Sequence, residues 1–181
     1  MSKKILVLTG SPRKGGNSDL LADAFIQGAA HSGHIVERFD AGRKEIMGCK
    51  ACNTCFQKGS ACSFDDDFNS LAPLLEKADA VVFVTPLYWF TFTAQLKAAI
   101  DKMYSFTLVQ RPLQIKECML LACAETENEA EFNGLVTSYQ QIAAYQEWQD
   151  KGFLIATKVS EIGDILQTDA LAKAERLGRE F

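Results

Sequence analysis

The sequence predicts an α/β protein: a doubly wound parallel sheet of five strands in the order 2-1-3-4-5, with helices on both faces. Three observations carry this reading. Apolar runs at Ile5–Leu8, Ala80–Val84 and Ile115–Ala124 read as strands, the first two too short for helices and rich in branched residues suited to burial on both faces. Helically spaced stretches separate them, and strands that alternate with helices imply right-handed crossovers and a parallel sheet. Two chemically distinctive loops, Thr9–Asn17 and Pro86–Phe92, follow the C-terminal ends of predicted strands. That is the edge at which open α/β sheets bind ligands.

The first strand, Ile5–Leu8, stops at a polar loop that runs from Thr9 to Asn17 and contains Gly10, Gly15 and Gly16. A dinucleotide fingerprint needs Gly-x-Gly-x-x-Gly, and the spacing after Gly10 fails it. A Walker loop needs Lys and Ser/Thr where Gly16 and Asn17 stand, which argues against a nucleoside triphosphate. What remains is a loop that holds a phosphomonoester with amides and hydroxyls at a helix N-terminus. The helix that follows carries Leu20, Leu21, Ala24 and Phe25 at helical spacing, with Asn17 or Ser18 as N-cap and Gly33 as its stop.

His34–Phe39 forms a second, less apolar strand near an edge of the sheet, and His31 and His34 are expected to be solvated at its entry. Next comes a cysteine-rich loop at 48–63. Cys49, Cys52 and Cys55 follow Cys-x2-Cys-x2-Cys spacing, and Cys62 follows after six residues. Three thiolates at that pitch can wrap one face of an iron–sulfur cube while the fourth closes the site. Zinc, which more usually draws on two separated Cys-x2-Cys pairs, is the second reading, and free thiols the third. Asp65, Asp66 and Asp67 then open a helix carrying Phe68, Leu71, Leu74 and Leu75, where their charge suits the N-terminus.

Ala80–Val84 is a second central strand. It runs into Pro86-Leu87-Tyr88-Trp89-Phe90-Thr91-Phe92, a flat-sided aromatic loop suited to stacking on a planar ring. A helix over Thr93–Met103, a strand over Ile115–Ala124 with Cys118 and Cys123 as small buried thiols, a helix over Phe132–Trp148, a strand over Phe153–Val159 and a helix over Asp169–Gly178 complete the count.

A length of 181 residues, 48% of them hydrophobic, suits one domain over 1–181. A net charge of −4 without a basic cluster argues against nucleic acid or an anionic membrane as partner. No apolar run approaches eighteen residues and no cationic leader pattern opens the chain, so a cytoplasmic, soluble protein is expected. In that setting six cysteines are expected to be reduced, metal-bound or redox-active rather than paired as structural disulfides.

These motifs, Gly10-Ser-Pro-Arg-Lys-Gly-Gly-Asn-Ser18, the four-cysteine loop followed by Asp66-Asp67, and Pro86-Leu-Tyr-Trp89 followed by Leu96-Lys-x-x-Ile-Asp101, extend the likeness over essentially the whole length. The chain resembles the NADPH-dependent FMN reductase and iron–sulfur flavoprotein group of flavodoxin-like proteins. The resemblance implies FMN held at its phosphate by Ser11, Arg13, Gly16, Asn17 and Ser18 and at its ring by Pro86, Leu87, Tyr88 and Trp89. It leaves open whether Arg13 meets that phosphate or one on a nicotinamide nucleotide. It also implies NAD(P)H as reductant, a quinone, flavin or protein electron acceptor, and homodimers or homotetramers in which the helix from Thr93 helps build a shared site. In iron–sulfur members a 4Fe–4S cluster sits on the compact cysteine motif, which places Cys49, Cys52, Cys55 and Cys62 as its ligands here. The chemistry would be the flavin's, and no spacing demands a general acid or base. An electron carrier without nicotinamide turnover and a thiol- or cluster-based sensor are the alternative functions.

Overall fold

The computed structural model describes residues 2–181. Its five strands are β1 (Lys4–Thr9), β2 (Ile35–Phe39), β3 (Ala80–Pro86), β4 (Glu117–Cys123) and β5 (Gln149–Ala156), and its helices are α1 (Asn17–His31), α2 (Phe68–Lys77), α3 (Ala94–Lys102), α4 (Tyr104–Leu108), α5 (Asn133–Tyr145) and α6 (Ala170–Glu180). All neighbouring strands pair in parallel, in the order β2-β1-β3-β4-β5. The expected flavodoxin-like topology is therefore the one observed.

Alternation along β1 and β3 explains the continuous apolar runs. Ile5, Val7, Val82 and Val84 face Leu21 and Phe25 of α1, together with Ala174 of α6. Leu6, Leu8, Val81 and Phe83 face the other layer, built from Phe68 and Leu71 of α2, Leu96 of α3 and Leu135 and Tyr139 of α5. A strand covered on both faces has no polar side to show. β2, with only Phe39 fully buried, is an edge strand as expected.

Helices α1 and α6 touch backbone to backbone. A Cβ on Gly28 would stand 1.9 Å from the Glu175 carbonyl oxygen, and one on Gly178 would stand 2.1 Å from that of Phe25. α1 ends at Gly33 in a left-handed conformation (φ 82°), with His34 N–H on the Ala29 carbonyl and Gly33 N–H on that of Ala30, the two bonds of a Schellman motif. His34 is not simply solvated, because its Nδ1 accepts the Lys3 amide at 3.1 Å.

Three elements, α1, α5 and β5, have boundaries that differ from expectation. The N-cap of α1 is Gly16, since the Asn17 side chain is engaged elsewhere. The helix expected over 132–148 begins after a 3-10 turn, at Asn133, and stops at Tyr145, where Glu147 at φ 57° turns the chain inward to buried Trp148. The last strand runs over Gln149–Ala156 rather than 153–159. Its polar start is tolerated at a sheet edge, and a register shift opposite Cys118–Leu120 absorbs Asp150 to Gly152. Among the described residues no helix is long and apolar enough to cross a membrane.

Candidate functional site

A cleft of about 250 Å³ opens at the C-terminal edge of the sheet, and the two loops singled out from the sequence form two of its walls. Ser11, Arg13, Gly16, Asn17 and Ser18 form one, and Pro86, Leu87 and Tyr88 form the other. Crossing behind them, Thr93 Oγ1 donates to the Gly10 carbonyl at 2.8 Å and also caps α3 by accepting from the Leu96 amide.

The wall formed by the loop after β1 presents donors. The first amide of α1 to find a helical acceptor is that of Leu20, on the Gly16 carbonyl, so the amides of Asn17, Ser18 and Asp19 have no helical partner. Ser18 is 2% exposed and its hydroxyl has no hydrogen-bond partner among the described residues. Ser11 Oγ accepts the Arg13 amide at 3.1 Å, which folds the loop back on itself. Asn17 lines the cleft as expected of a site residue, and its side chain also staples the 160s segment. Its Nδ2 donates to the Glu161 carbonyl at 2.8 Å and its Oδ1 accepts from Gly163 and Ile165. Its backbone amide, without a helical partner, is free to serve the cleft. Arg13 is exposed and its Nη1 reaches the Ser160 carbonyl at 3.4 Å.

Behind the loop lies an ion network that the sequence did not reveal. Arg38 pairs through all three guanidinium nitrogens, with Asp19 at 2.7 Å, Asp23 at 2.5 Å and Asp40 at 2.6 Å, and Arg43 bridges Asp19 and Asp40. Burial would raise the Asp40 carboxyl, but hydrogen bonds from Arg38, Thr9 and Arg43 hold it below its ordinary value. Asp19 sits in the first turn of α1 and binds the Gly15 amide. The two arginines neutralise it, so the helix N-terminus stays receptive to an anion. Gly42 packs against the same loop so closely that a Cβ would lie 2.3 Å from the Ser11 carbonyl oxygen. Arg38, Asp40, Gly42 and Arg43 come from β2 and its exit turn, distant in sequence from the loop, and no local pattern marks them.

At the ring end, Tyr88 and Thr91 exchange both backbone hydrogen bonds at 3.1 Å around a two-residue turn. Its central residues, Trp89 (φ 44°) and Phe90 (φ 64°), are left-handed, a conformation that favours Gly or Asn. Gly134 of α5 lies beneath it, and a Cβ there would be 2.7 Å from the Phe90 carbonyl oxygen. Pro86, Leu87 and Tyr88 line the cleft, whereas Trp89 does not. Its side chain is turned to solvent, 91% exposed, beside half-exposed Phe90.

The remaining wall was missed in the sequence. Cys123, Ala124 and Glu125 leave β4 at the same edge, where the position of the strand end could have signalled them. Val159, Ser160 and Ile162 were hidden by the misplaced end of β5. Cys123 is a buried thiol, as expected, and burial pushes its pKa up to about 12.

The four cysteines of the 48–63 loop surround a second, smaller cavity, with Lys102 and Ser105 in its wall. All four are free thiols, Cys49 and Cys52 exposed and Cys55 and Cys62 half-buried. Among the described residues no three His, Cys, Asp or Glu side chains are gathered as a metal-binding group. Thr54 Oγ1, 3.1 Å from Cys52 Sγ, lowers that thiol's pKa, whereas burial and then the neighbouring thiols raise that of Cys55. The loop is held from outside. Asn69 accepts the Cys62 amide at 2.8 Å and donates to the Cys62 and Phe64 carbonyls. Asp66 accepts the Met47 and Phe68 amides and pairs with buried Lys102. The expected role of the acidic run at the start of α2 is thus only part of its work.

The donor-rich end and the flat apolar end of the main cleft suit a group with a phosphate at one end and a planar ring at the other. The profile of the NADPH-dependent FMN reductase family matches residues 3–148. An iron–sulfur flavoprotein of Archaeoglobus fulgidus is 39% identical over 103 residues, which are 57% of this chain and 46% of that protein. An iron–sulfur flavoprotein of Methanosarcina thermophila is 32% identical over 99 residues, covering 55% of this chain and 51% of the relative. The chain thus spans about half the length of these curated relatives. The fold is shared with an NAD(P)H:quinone oxidoreductase from Methanothermobacter marburgensis, with a TM-score of 0.78, 20% identity and coverage of 99% of this chain and 96% of that one. The profile match over most of the chain and the observed topology together establish that this protein belongs to the NADPH-dependent FMN reductase family.

Proposed function

We propose that the chain is an FMN-dependent NAD(P)H oxidoreductase that passes electrons on to a quinone, flavin or iron–sulfur/protein acceptor. The observation that carries this is the single cleft with unpaired amides and the unpartnered Ser18 hydroxyl at one end and the Pro86–Tyr88 wall at the other. Ser11, Gly16, Ser18 and the backbone of Asn17 would hold the phosphate, with Arg13 at the rim to meet that phosphate or one on the nicotinamide nucleotide. Leu87 and Tyr88 would bound the ring on one side, and Cys123 to Glu125 on another. When bound, FMN supplies hydride acceptance and electron release. The chain's own residues orient it: Thr93 joins the two loops, Asn17 fixes the 160s wall, and the Arg38 network keeps the helix N-terminus receptive. No side chain in the cleft is assigned a proton-transfer role. Trp89 and Phe90, exposed at the rim, suit a site completed by a second subunit in a homodimer or homotetramer.

The four-cysteine loop supports an additional 4Fe–4S cluster held by Cys49, Cys52, Cys55 and Cys62. The four cysteines line one common cavity and would supply the thiolates that such a cluster takes. The alternating sign of φ from Ala51 to Asn53 favours the inward amide nests found at such sites. The names of the matched relatives point the same way.

Heating the purified protein should release a yellow chromophore with one phosphate, and anaerobic NADH or NADPH should bleach it in place. Failure of the apoprotein to bind FMN would sink the site. Bleaching by a reduced ferredoxin but by neither nucleotide would make the protein an electron carrier instead.

A further inference from the structure

We infer that Ser105 and Lys102 form a donor wall that stabilises negative charge in the four-cysteine cavity, and so set the reduction potential of a cluster bound there. The inference rests on the cluster reading above.

Ser105 is 3% exposed, and its Oγ is buried without any hydrogen-bond partner among the described residues. A buried hydroxyl left unpaired is costly, and such exceptions call for a reason. Ser105 lines the cavity edged by Cys49, Cys52, Cys55 and Cys62. Lys102 precedes it by three residues across the α3–α4 junction, on the same wall and 4% exposed. Its ammonium has three N–H donors, and the Asp66 carboxylate is its single hydrogen-bonded partner among the described residues. Asp66 in turn divides its oxygens between Lys102 and the amides of Met47 and Phe68. The hydroxyl thus has no partner, and the ammonium, which also lies 5.8 Å from the centroid of the Phe68 ring, has no second hydrogen-bond acceptor among the described residues, on a wall edged by four thiols.

An unpartnered hydroxyl and an ammonium in a shielded wall complement an acceptor-only, anionic occupant. A cluster held by four thiolates is such an occupant, since its sulfurs accept hydrogen bonds and its charge becomes more negative by one on reduction. Donors to those sulfurs stabilise the reduced state more than the oxidised one and raise the potential. Neither residue is a ligand; both are positioning residues that act through the cluster's sulfurs.

The test is anaerobic reconstitution of the full chain with iron and sulfide, iron analysis, and an EPR-monitored redox titration of parent, Ser105→Ala and Lys102→Gln. Ser105→Ala removes only an unpaired hydroxyl, so the apoprotein's melting temperature should hold or rise and iron uptake should equal that of the parent. Its potential should fall such that, at the parent's midpoint, the ratio of reduced to oxidised cluster drops about tenfold, about 59 mV for one electron. Lys102→Gln should shift the potential the same way, and if it does not fold, Ser105→Ala decides. A parent that loads iron while Ser105→Ala titrates at the parent's potential overturns the donor wall but leaves the cluster standing. A parent that takes up no iron above background overturns the cluster reading itself, and the wall with it.

Discussion

Thr93 Oγ1 lies 2.8 Å from the Gly10 carbonyl oxygen, and this one bond ties the loop after β1 to the helix after β3 across the base of the cleft. The packing leaves no slack, because a Cβ on Gly10 would stand 2.6 Å from that same hydroxyl oxygen. The two loop walls of the cleft, Ser11 to Ser18 and Pro86 to Tyr88, are thereby set at one spacing.

Thr93→Val keeps the shape and removes the hydroxyl, so the buried Gly10 carbonyl and the Leu96 amide both lose a partner. Chemical denaturation should show a loss of about 1–3 kcal/mol. FMN affinity, measured by fluorescence quenching in the still-folded protein, should fall, whereas Thr93→Ser should retain most of both. Equal behaviour of the valine and serine variants would refute the tie.

Gly42→Ala forces a methyl group to within 2.3 Å of the Ser11 carbonyl oxygen. The phosphate loop must move, and FMN binding should weaken by about tenfold or more, a loss of about 1.4 kcal/mol. Gly48→Ala meets nothing within 4 Å and serves as the silent control. Titration of the two apoproteins with FMN distinguishes them.

Asn17→Ala severs three bonds to the 160s segment. Faster amide hydrogen exchange over residues 159–165 is expected, together with weaker FMN binding, while exchange in β1 and β3 stays slow. Unchanged exchange in that segment would mean that the staple is not what orders this wall.

Alkaline pH should expose the cost of two buried thiols. Burial raises Cys118 from 9.0 to about 11 and Cys123 from 9.0 to about 12. The unfolded chain therefore gives up these protons first. The associated stability is complete below pH 9 and declines as pH climbs through 9 toward 11 and 12. Denaturation midpoints measured from pH 7 to pH 10.5 should fall more steeply for the parent than for a Cys118→Ala/Cys123→Ala double variant. Parallel curves would rule out the contribution.

The order of the sheet, the central strands and the donor-rich loop after β1 were all legible in the sequence. Each depends on local pattern: a run such as Ile5–Leu8 buried on both faces, glycines with fixed spacing, a helix that starts at the loop's end. The four cysteines of the 48–63 loop were equally plain from spacing. Tertiary structure alone decided what surrounds them. Arg38 and Gly42 reach the loop after β1 only because β2 pairs beside β1, and the Asn17 side chain is engaged because the 160s segment offers it three partners. Trp89 swings out of the cleft because the Tyr88–Thr91 turn closes on itself, and Lys102 meets Asp66 across 36 residues of chain. Spacing along the chain records what a segment can form by itself; which buried donor meets which acceptor is settled when separate segments are desolvated together.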